Sequence, residues 1–259
     1  LGFTGLMTNG SADYRTLYDA TKMTAGGAGG LTTVDQVGDG DALGAANSQT
    51  YGFQLGVNAP DTGTFTVHTA LVAPFSGVTP TGDQSLGMFI GTGTQDDYIK
   101  IIATAGNGTP GIQAVREVAG VATAGPIAPV AMPGPGGVDL YLTVDASAGT
   151  VQPWFTTTTG GVKTAPVDLG GPLAVPAGWL TSTTSGLASG IISTSAGAAP
   201  TFPATWDFFQ IVNGSGRSPE AFVEQAGQVV IEGEHTDAVI NRGSHAWTPG
   251  SSPTGFAGT

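Results

Sequence analysis

Cysteine is absent from this chain. The fold therefore contains no disulfide, and it depends on neither an oxidising compartment nor covalent cross-links. With 259 residues, of which 40% are hydrophobic, the chain is long enough to bury a core without such links. Its length fits one large domain or two small ones.

Charge is scarce, and positive charge is scarcest. Only 10% of the residues are charged, and seven Lys and Arg against nineteen Asp and Glu give a formal net charge of -12. Nucleic acid is excluded as a partner because binding to phosphates needs clustered cations. No apolar run approaches the roughly 20 residues that span a bilayer, so we predict no membrane span. The chain begins at Leu1 without a signal-peptide pattern, and we expect a mature or excised fragment.

Glycine and proline, by contrast, are abundant. The 43 glycines and 17 prolines are typical of short strands joined by turns and argue against a helical bundle. Alternation of apolar and other residues predicts strands at 31–37, 51–57, 64–71, 112–118, 138–144, 151–157, 187–193 and 204–212. Strands at this spacing predict an all-β fold, an antiparallel β-sandwich or jelly roll.

The clearest hairpin lies between Ser85 and Ile102. Leu86, Met88 and Ile90 alternate with other residues, and a turn rich in Gly, Thr and Asp follows before a second alternating stretch. The pattern predicts two strands with one face in a core.

Catalytic constellations are hard to find in the sequence. Glu232 and Glu234 are spaced i, i+2 and share a strand face, which we interpret as solvated. The three histidines are His68, His235 and His245, and no nucleophile elbow accompanies them. His68 is predicted to lie on the polar face of its strand. We therefore predict that the chain is not an enzyme.

Two turns carry carboxylates that are candidates for metal binding. Asp39 and Asp41 alternate around a glycine in DQVGDGD, and Asp96 lies in the turn of the hairpin. Such carboxylates present hard oxygen ligands to calcium, so we predict a structural calcium. The alternative is that they are solvated or cap backbone N–H groups.

Aromatic rings that stack on sugar rings are the remaining candidates for binding. We predict Trp179, Trp154, Tyr98 and Trp247 as ligand-binding residues. Trp179 lies in a Pro- and Gly-rich loop and is expected to be the most exposed. Trp206 adjoins two phenylalanines in the final strand and is predicted to belong to the core.

Longer motifs resemble known families. Residues 14–212 resemble concanavalin A-like jelly-roll domains of large secreted bacterial proteins through GDGDALGAANSQTYGFQLGVN, GMFIGTGTQDDYIKI, VDLYLTVDASAGTVQPWF and ATWDFFQIV. The tail GQVVIEGEHTDAVINRGSHAWTP is similar to the opening of malectin-like carbohydrate-binding modules. In related jelly rolls a carboxylate of the last strand joins a structural calcium, and this resemblance implies Asp207 as a ligand.

The resemblance also implies the domain organisation and the setting. We expect a jelly-roll domain over 1–213, a linker over 214–226 and a partial malectin-like segment or short C-terminal extension over 227–259. The resemblance implies a secreted or cell-surface protein. Our first hypothesis is a non-catalytic carbohydrate-binding or adhesive module whose partner is a glycan or cell-surface polysaccharide. The alternative is a structural subunit of an extracellular filament or surface layer that self-assembles through its terminal segments.

Overall fold

The computed structural model describes residues 3–10, 16–17, 19–26, 31–58, 63–134, 136–180 and 187–217. The chain divides into two units, Leu1–Gly216 and Arg217–Thr259, and the fold described here is that of the first. Among the candidates from the sequence, Glu232, Glu234, His235, His245 and Trp247 lie outside the described residues. The predicted linker and C-terminal segment also lie there, apart from Gly214 to Arg217.

Two antiparallel β-sheets make up the described part of the first unit, which confirms the predicted all-β sandwich. The first sheet has the order β1-β4-β16-β6-β7-β8-β10, with β9 paired to β8. Its strands are β1 Gly5–Leu6, β4 Phe53–Gly56, β6 Ser85–Gly91, β7 Tyr98–Thr104, β8 Gly111–Val118, β9 Val121–Ala124, β10 Ala128–Pro129 and β16 Ala188–Thr194.

The second sheet has the order β13-β12-β11-β5-β17-β3-β2, with β14 and β15 paired to β12. Its strands are β2 Met23–Gly26, β3 Leu31–Val34, β5 Thr64–Val72, β11 Gly137–Asp145, β12 Thr150–Thr159, β13 Val162–Lys163, β14 Val167–Asp168, β15 Leu173–Ala174 and β17 Ala204–Asn213. Short 3₁₀ turns occur at Ala20–Lys22, Gly44–Ala46 and Gly106–Gly108. No helix within the described residues is long and apolar enough to cross a membrane.

The main core lies between the two sheets and follows the two-residue period of the strands. In β11, Val138, Leu140, Leu142 and Val144 are buried in this core, while the residues that alternate with them, Asp139, Tyr141 and Thr143, face outward. Trp206 is fully buried, as predicted, and its indole N–H donates a hydrogen bond to the carbonyl of Gly87 across the sandwich at 3.0 Å. Burial of these side chains is the main stabilising contribution, at about 25 cal/mol per Å² of apolar surface.

The central hairpin differs from its prediction. Strands β6 and β7 are buried along their whole length, so both faces are covered rather than one. The second face carries a smaller apolar cluster, made of Met7, Ala42, Phe89, Tyr98, Ile102 and Ile192. Ala42 belongs to a segment of residues 41–49, called here the covering segment, which is tied to β16 where the Gln49 amide donates to the Ser193 carbonyl at 2.7 Å.

A β-bulge interrupts the last strand. The register of β17 against β5 passes from Trp206 opposite Leu71 to Phe209 opposite Thr69, so β17 contains one extra residue there. Phe209 therefore packs against the core, whereas Phe208 lies edge-on against His68 on the outer face of the second sheet.

Candidate functional site

A row of polar and aromatic side chains crosses the outer face of the second sheet. It consists of five residues on five adjacent strands, each directly opposite the next: Gln210, His68, Tyr141, Trp154 and Asp168. Directly opposed residues of antiparallel strands share a face of the sheet. We call this set the outer row.

The rings of the outer row stand against one another. Tyr141 and Trp154 are parallel, with centroids 3.6 Å apart, and His68 stacks on the other face of Tyr141 at 4.0 Å. The indole N–H of Trp154 donates to the Thr143 hydroxyl at 2.9 Å. Each ring is held by its neighbours, and all three rings are themselves buried, so the row is a rigid stack within the outer face of the sheet.

Asp139 is the carboxylate held beside this row. His68 Nε2 lies 2.9 Å from Asp139 Oδ1, and Lys163 Nζ lies 3.5 Å from the same oxygen. Burial raises the pKa of Asp139, but the hydrogen bond and charge of His68 and the charge of Lys163 outweigh it, so the pKa falls below its usual value. Asp139 is therefore an ionised acceptor.

The tautomer of His68 follows from its two partners. The Gln210 side-chain nitrogen lies 3.1 Å from His68 Nδ1, and an amide N–H can only donate, so Nδ1 accepts. In the neutral ring Nε2 then carries the proton and donates it to Asp139. This arrangement fixes both the orientation of the imidazole and the direction of its hydrogen bonds.

Tyr98 and Glu117 form a second polar cluster, on the outer face of the first sheet. The Tyr98 hydroxyl donates to Glu117 Oε2 at 2.7 Å, and the Gly44 N–H of the covering segment donates to the same oxygen at 3.1 Å. Burial raises the pKa of Tyr98, and the hydrogen bond to Glu117 raises it further. Burial also raises the pKa of Glu117 despite these hydrogen bonds. Both side chains are fully buried, so Tyr98 offers no exposed ring for stacking.

Of the four aspartates predicted to bind calcium, two contact other side chains and two are exposed. Asp41 lies 3.3 Å from the ammonium of Lys100, and Asp96 accepts the side-chain N–H of Asn47 at 2.8 Å. Asp39 is exposed and lines an open polar cleft. Asp207 is exposed at the bulge of β17. Within the described residues, no three His, Asp or Glu side chains are grouped around a point where a metal ion would bind.

The tryptophans predicted to bind ligand divide between the core and the outer row. Trp179 is 7% exposed and belongs to the main core, in a turn where its backbone N–H donates to the Pro176 carbonyl at 3.3 Å. Its expected exposure is therefore not observed. Trp154 lies in the outer row but is itself buried.

Sequence reasoning missed Asp139, Tyr141 and Lys163. Asp139 and Tyr141 were contained in the predicted strand VDLYLTV, where they alternate with the core residues. Their outward direction was readable from that alternation. Their pairing with His68, 71 residues earlier in the chain, depends on the register of β5 and β11.

Comparison with known proteins identifies the fold. No family model matches the chain, and no curated protein matches it. Among solved structures, the GH43 BlXynB protein from Bacillus licheniformis matches with a TM-score of 0.56 and 15% identity, covering 75% of this chain and 35% of that one. The xylan β-1,4-xylosidase from Bacillus halodurans C-125 matches with a TM-score of 0.55 and 14% identity over the same shares.

A third match shows the fold as nearly a whole protein. A functionally unknown protein from Saccharomyces cerevisiae matches with a TM-score of 0.51 and 12% identity, covering 82% of this chain and 96% of that one. The chain thus spans about one third of the length of the two Bacillus enzymes and nearly all of the yeast protein. At these identities the matches establish the β-sandwich alone.

These matches overturn the two functional predictions. From the sequence we expected a non-catalytic binding or adhesive module, with a structural subunit as the alternative. We also expected the chain not to be an enzyme. Two of the matching structures are glycoside hydrolases, and this finding contradicts both predictions. The predictions were wrong because they relied on finding paired carboxylates close together in sequence, whereas a sandwich can bring carboxylates together from separate strands.

Proposed function

We propose that this chain is the β-sandwich part of a glycoside hydrolase and that the outer face of its second sheet meets a polysaccharide. Asp139 is the observation that carries the proposal, because it is a carboxylate kept ionised by His68 and Lys163 beside a row of aromatic rings. The GH43 proteins with the same fold support the reaction class. A xylan-like chain is the substrate class that the xylosidase match supports.

Asp168 is the second carboxylate in this proposal. Asp139 on β11 and Asp168 on β14 are separated by β12 and are offset by two residues along it. With strands about 4.8 Å apart and a rise of about 3.4 Å per residue, their Cα atoms lie roughly 12 Å apart. This spacing is compatible with carboxyl groups about 6.5 to 9.5 Å apart, as in inverting hydrolases. Asp139, being ionised, then takes the proton of the attacking water, and Asp168 is the partner carboxyl group on the side of the leaving oxygen.

The test is hydrolysis of xylan and of p-nitrophenyl β-D-xyloside by the full chain. We expect D139N to lower kcat by about 100-fold or more, as the loss of a general base does, with Tm within a few degrees of that of the original chain. D145N is the matched control, since Asp145 lies on the same strand and caps the Ala148 N–H. Absence of hydrolysis by the original chain, or unchanged kcat in D139N, contradicts the proposal.

The finer resemblances belong to the same proposal. We place the protein outside the cell, as the concanavalin A-like and malectin-like motifs imply, with a glycan as its partner. A structural calcium and self-assembly stay predictions from the sequence.

A further inference from the structure

Arg116 occupies an unusual position in the first sheet. Strand β8 directs Ile112 and Ala114 into the main core, and the two-residue period directs Arg116 to the same inner side. Its direct partner on β7, Ile99, is a core residue as well. Arg116 therefore brings a guanidinium to the rim of the sandwich interior.

One donor of the Arg116 guanidinium, the Nε–H group, lacks a partner. Its Nε atom is buried without a hydrogen bond, and the described residues place no carboxylate against it. Two lysines of the sandwich differ in this respect, because the buried Lys100 contacts Asp41 and the more exposed Lys163 contacts Asp139. Native proteins rarely leave a buried donor unpaired, since the loss of its hydrogen bonds to water is not offset.

A cleft of about 370 Å³ opens in front of this side chain. Its walls come from β8 and β9 on one sheet and from the segment around β14 and β15 on the other. Leu169, Leu173 and Pro126 make it largely apolar, and Thr123 adds a hydroxyl. An apolar cleft with one convergent charged group is typical of a site for a small ligand.

We propose that this cleft binds the carboxylate of an acidic sugar unit, with Arg116 as the recognition residue. A carboxylate fits the planar fork of a guanidinium and satisfies its buried donor. The apolar walls suit the C–H face of a sugar ring. The choice of a sugar acid rather than another carboxylate rests on the proposed function. The site thus selects a polysaccharide that carries uronic acid units.

The experiment compares D-glucuronate with D-glucose, which differ only at C6, where the acid has a carboxylate and the neutral sugar a hydroxymethyl group. The NMR signal of the Arg116 Nε–H group in the full chain is the readout. We expect glucuronate to shift this signal and to bind at least about tenfold more tightly than glucose, as a charge-assisted hydrogen bond allows. R116Q should remove the preference.

K22Q is the matched control, because it removes one positive charge from an exposed 3₁₀ turn and should leave the preference intact. R116K keeps the charge but not the fork, and is expected to retain only part of the preference. If R116Q fails to fold, R116K and the two sugars on the original chain decide the question. An unshifted Arg116 signal with glucuronate, equal affinity for both sugars, or an unchanged preference in R116Q overturns the inference.

The hydrolysis assay and this binding assay separate the two proposals. Hydrolysis of neutral xylan without a preference for glucuronate leaves the proposed function standing and removes the acidic site. A preference for glucuronate that depends on Arg116, without hydrolysis in any assay, removes the proposed function and leaves a carboxylate site.

Discussion

The two outer faces of the sandwich each hold a buried carboxylate bonded to a ring, and the two carboxylates differ in the direction of their pKa. Glu117 accepts the Tyr98 hydroxyl, and burial raises its pKa. Asp139 is bonded to His68, and its pKa is lowered. The difference lies in the neighbours, because Asp139 has a nearby imidazole and the ammonium of Lys163, whereas at Glu117 burial outweighs the hydrogen bonds and the charge of Lys100, and Asp96 adds a negative charge. A buried carboxylate stays ionised when enough positive charge lies beside it, and it is protonated more readily when that charge is insufficient.

The two carboxylates therefore have different roles in the structure. The Glu117 cluster fastens the covering segment, since Gly44 donates to Glu117 and Asp41 contacts Lys100. Those polar groups join loop and sheet. Asp139 joins no such loop within the described residues and is held instead by neighbouring side chains of its own sheet. This contrast is why the outer row, rather than the Glu117 cluster, is the candidate site.

The largest expected effect is that of removing Glu117. E117A leaves the Tyr98 hydroxyl and the Gly44 N–H without their acceptor in a buried place, so we expect a loss of about 3 kcal/mol in the free energy of unfolding. E117Q keeps an acceptor oxygen and should lose much less. Chemical denaturation measures both. Equal losses in the two variants would contradict the role given to this hydrogen-bond pair.

The contributions of the two carboxylates to the free energy of unfolding should change with pH in opposite directions. Glu117 is protonated more readily in the folded chain, so its contribution is fully present below the ordinary pKa of 4.5 and is lost as the pH rises through the folded-state pKa. Asp139 behaves in the opposite way, because its contribution is present above 3.8 and is lost as the pH falls through the lowered pKa. Denaturation of E117Q and D139N across pH should flatten the respective slopes. Slopes of the same sign would refute the comparison.

Lys163 provides the smallest expected change. Its side chain is 45% exposed and lies 3.5 Å from Asp139, so solvent screens the pair. K163Q should cost no more than about 1 kcal/mol in the free energy of unfolding, while raising the pKa of Asp139 toward its usual value. Carboxyl NMR titration measures that pKa. A pKa unchanged in K163Q would mean that His68 alone keeps Asp139 ionised.

Local alternation predicted most of the strands. Residues 64–71, 138–144 and 151–157 lie within β5, β11 and β12, because a strand with one face in a core requires a two-residue period. The same alternation places Trp206 and Phe208 on one face, and there it is wrong. The bulge of β17 moves Phe208 to the outer face, and the pattern of a single strand carries no signal for an extra residue that only its partner strand reveals.

The candidate site was less predictable than the fold. Trp154 was selected as a ring for stacking and lies in the outer row, but Tyr141, which stacks on it, was not selected. Trp179 was selected because a Pro- and Gly-rich loop is usually exposed, and it packs in the core instead. Whether a ring in a loop turns inward depends on space between the sheets, which the loop sequence does not encode.

Composition and alternation by themselves determined an all-β chain without disulfides, with scarce positive charge and with a buried face on each long strand. The tertiary structure alone decided which side chains meet, because register joins His68 to Asp139 across 71 residues and leaves the Nε–H of Arg116 on an inner face without an acceptor. Periodicity follows from backbone geometry and is local, whereas a shifted pKa or an unpaired donor depends on charges and surfaces brought together from distant parts of the chain.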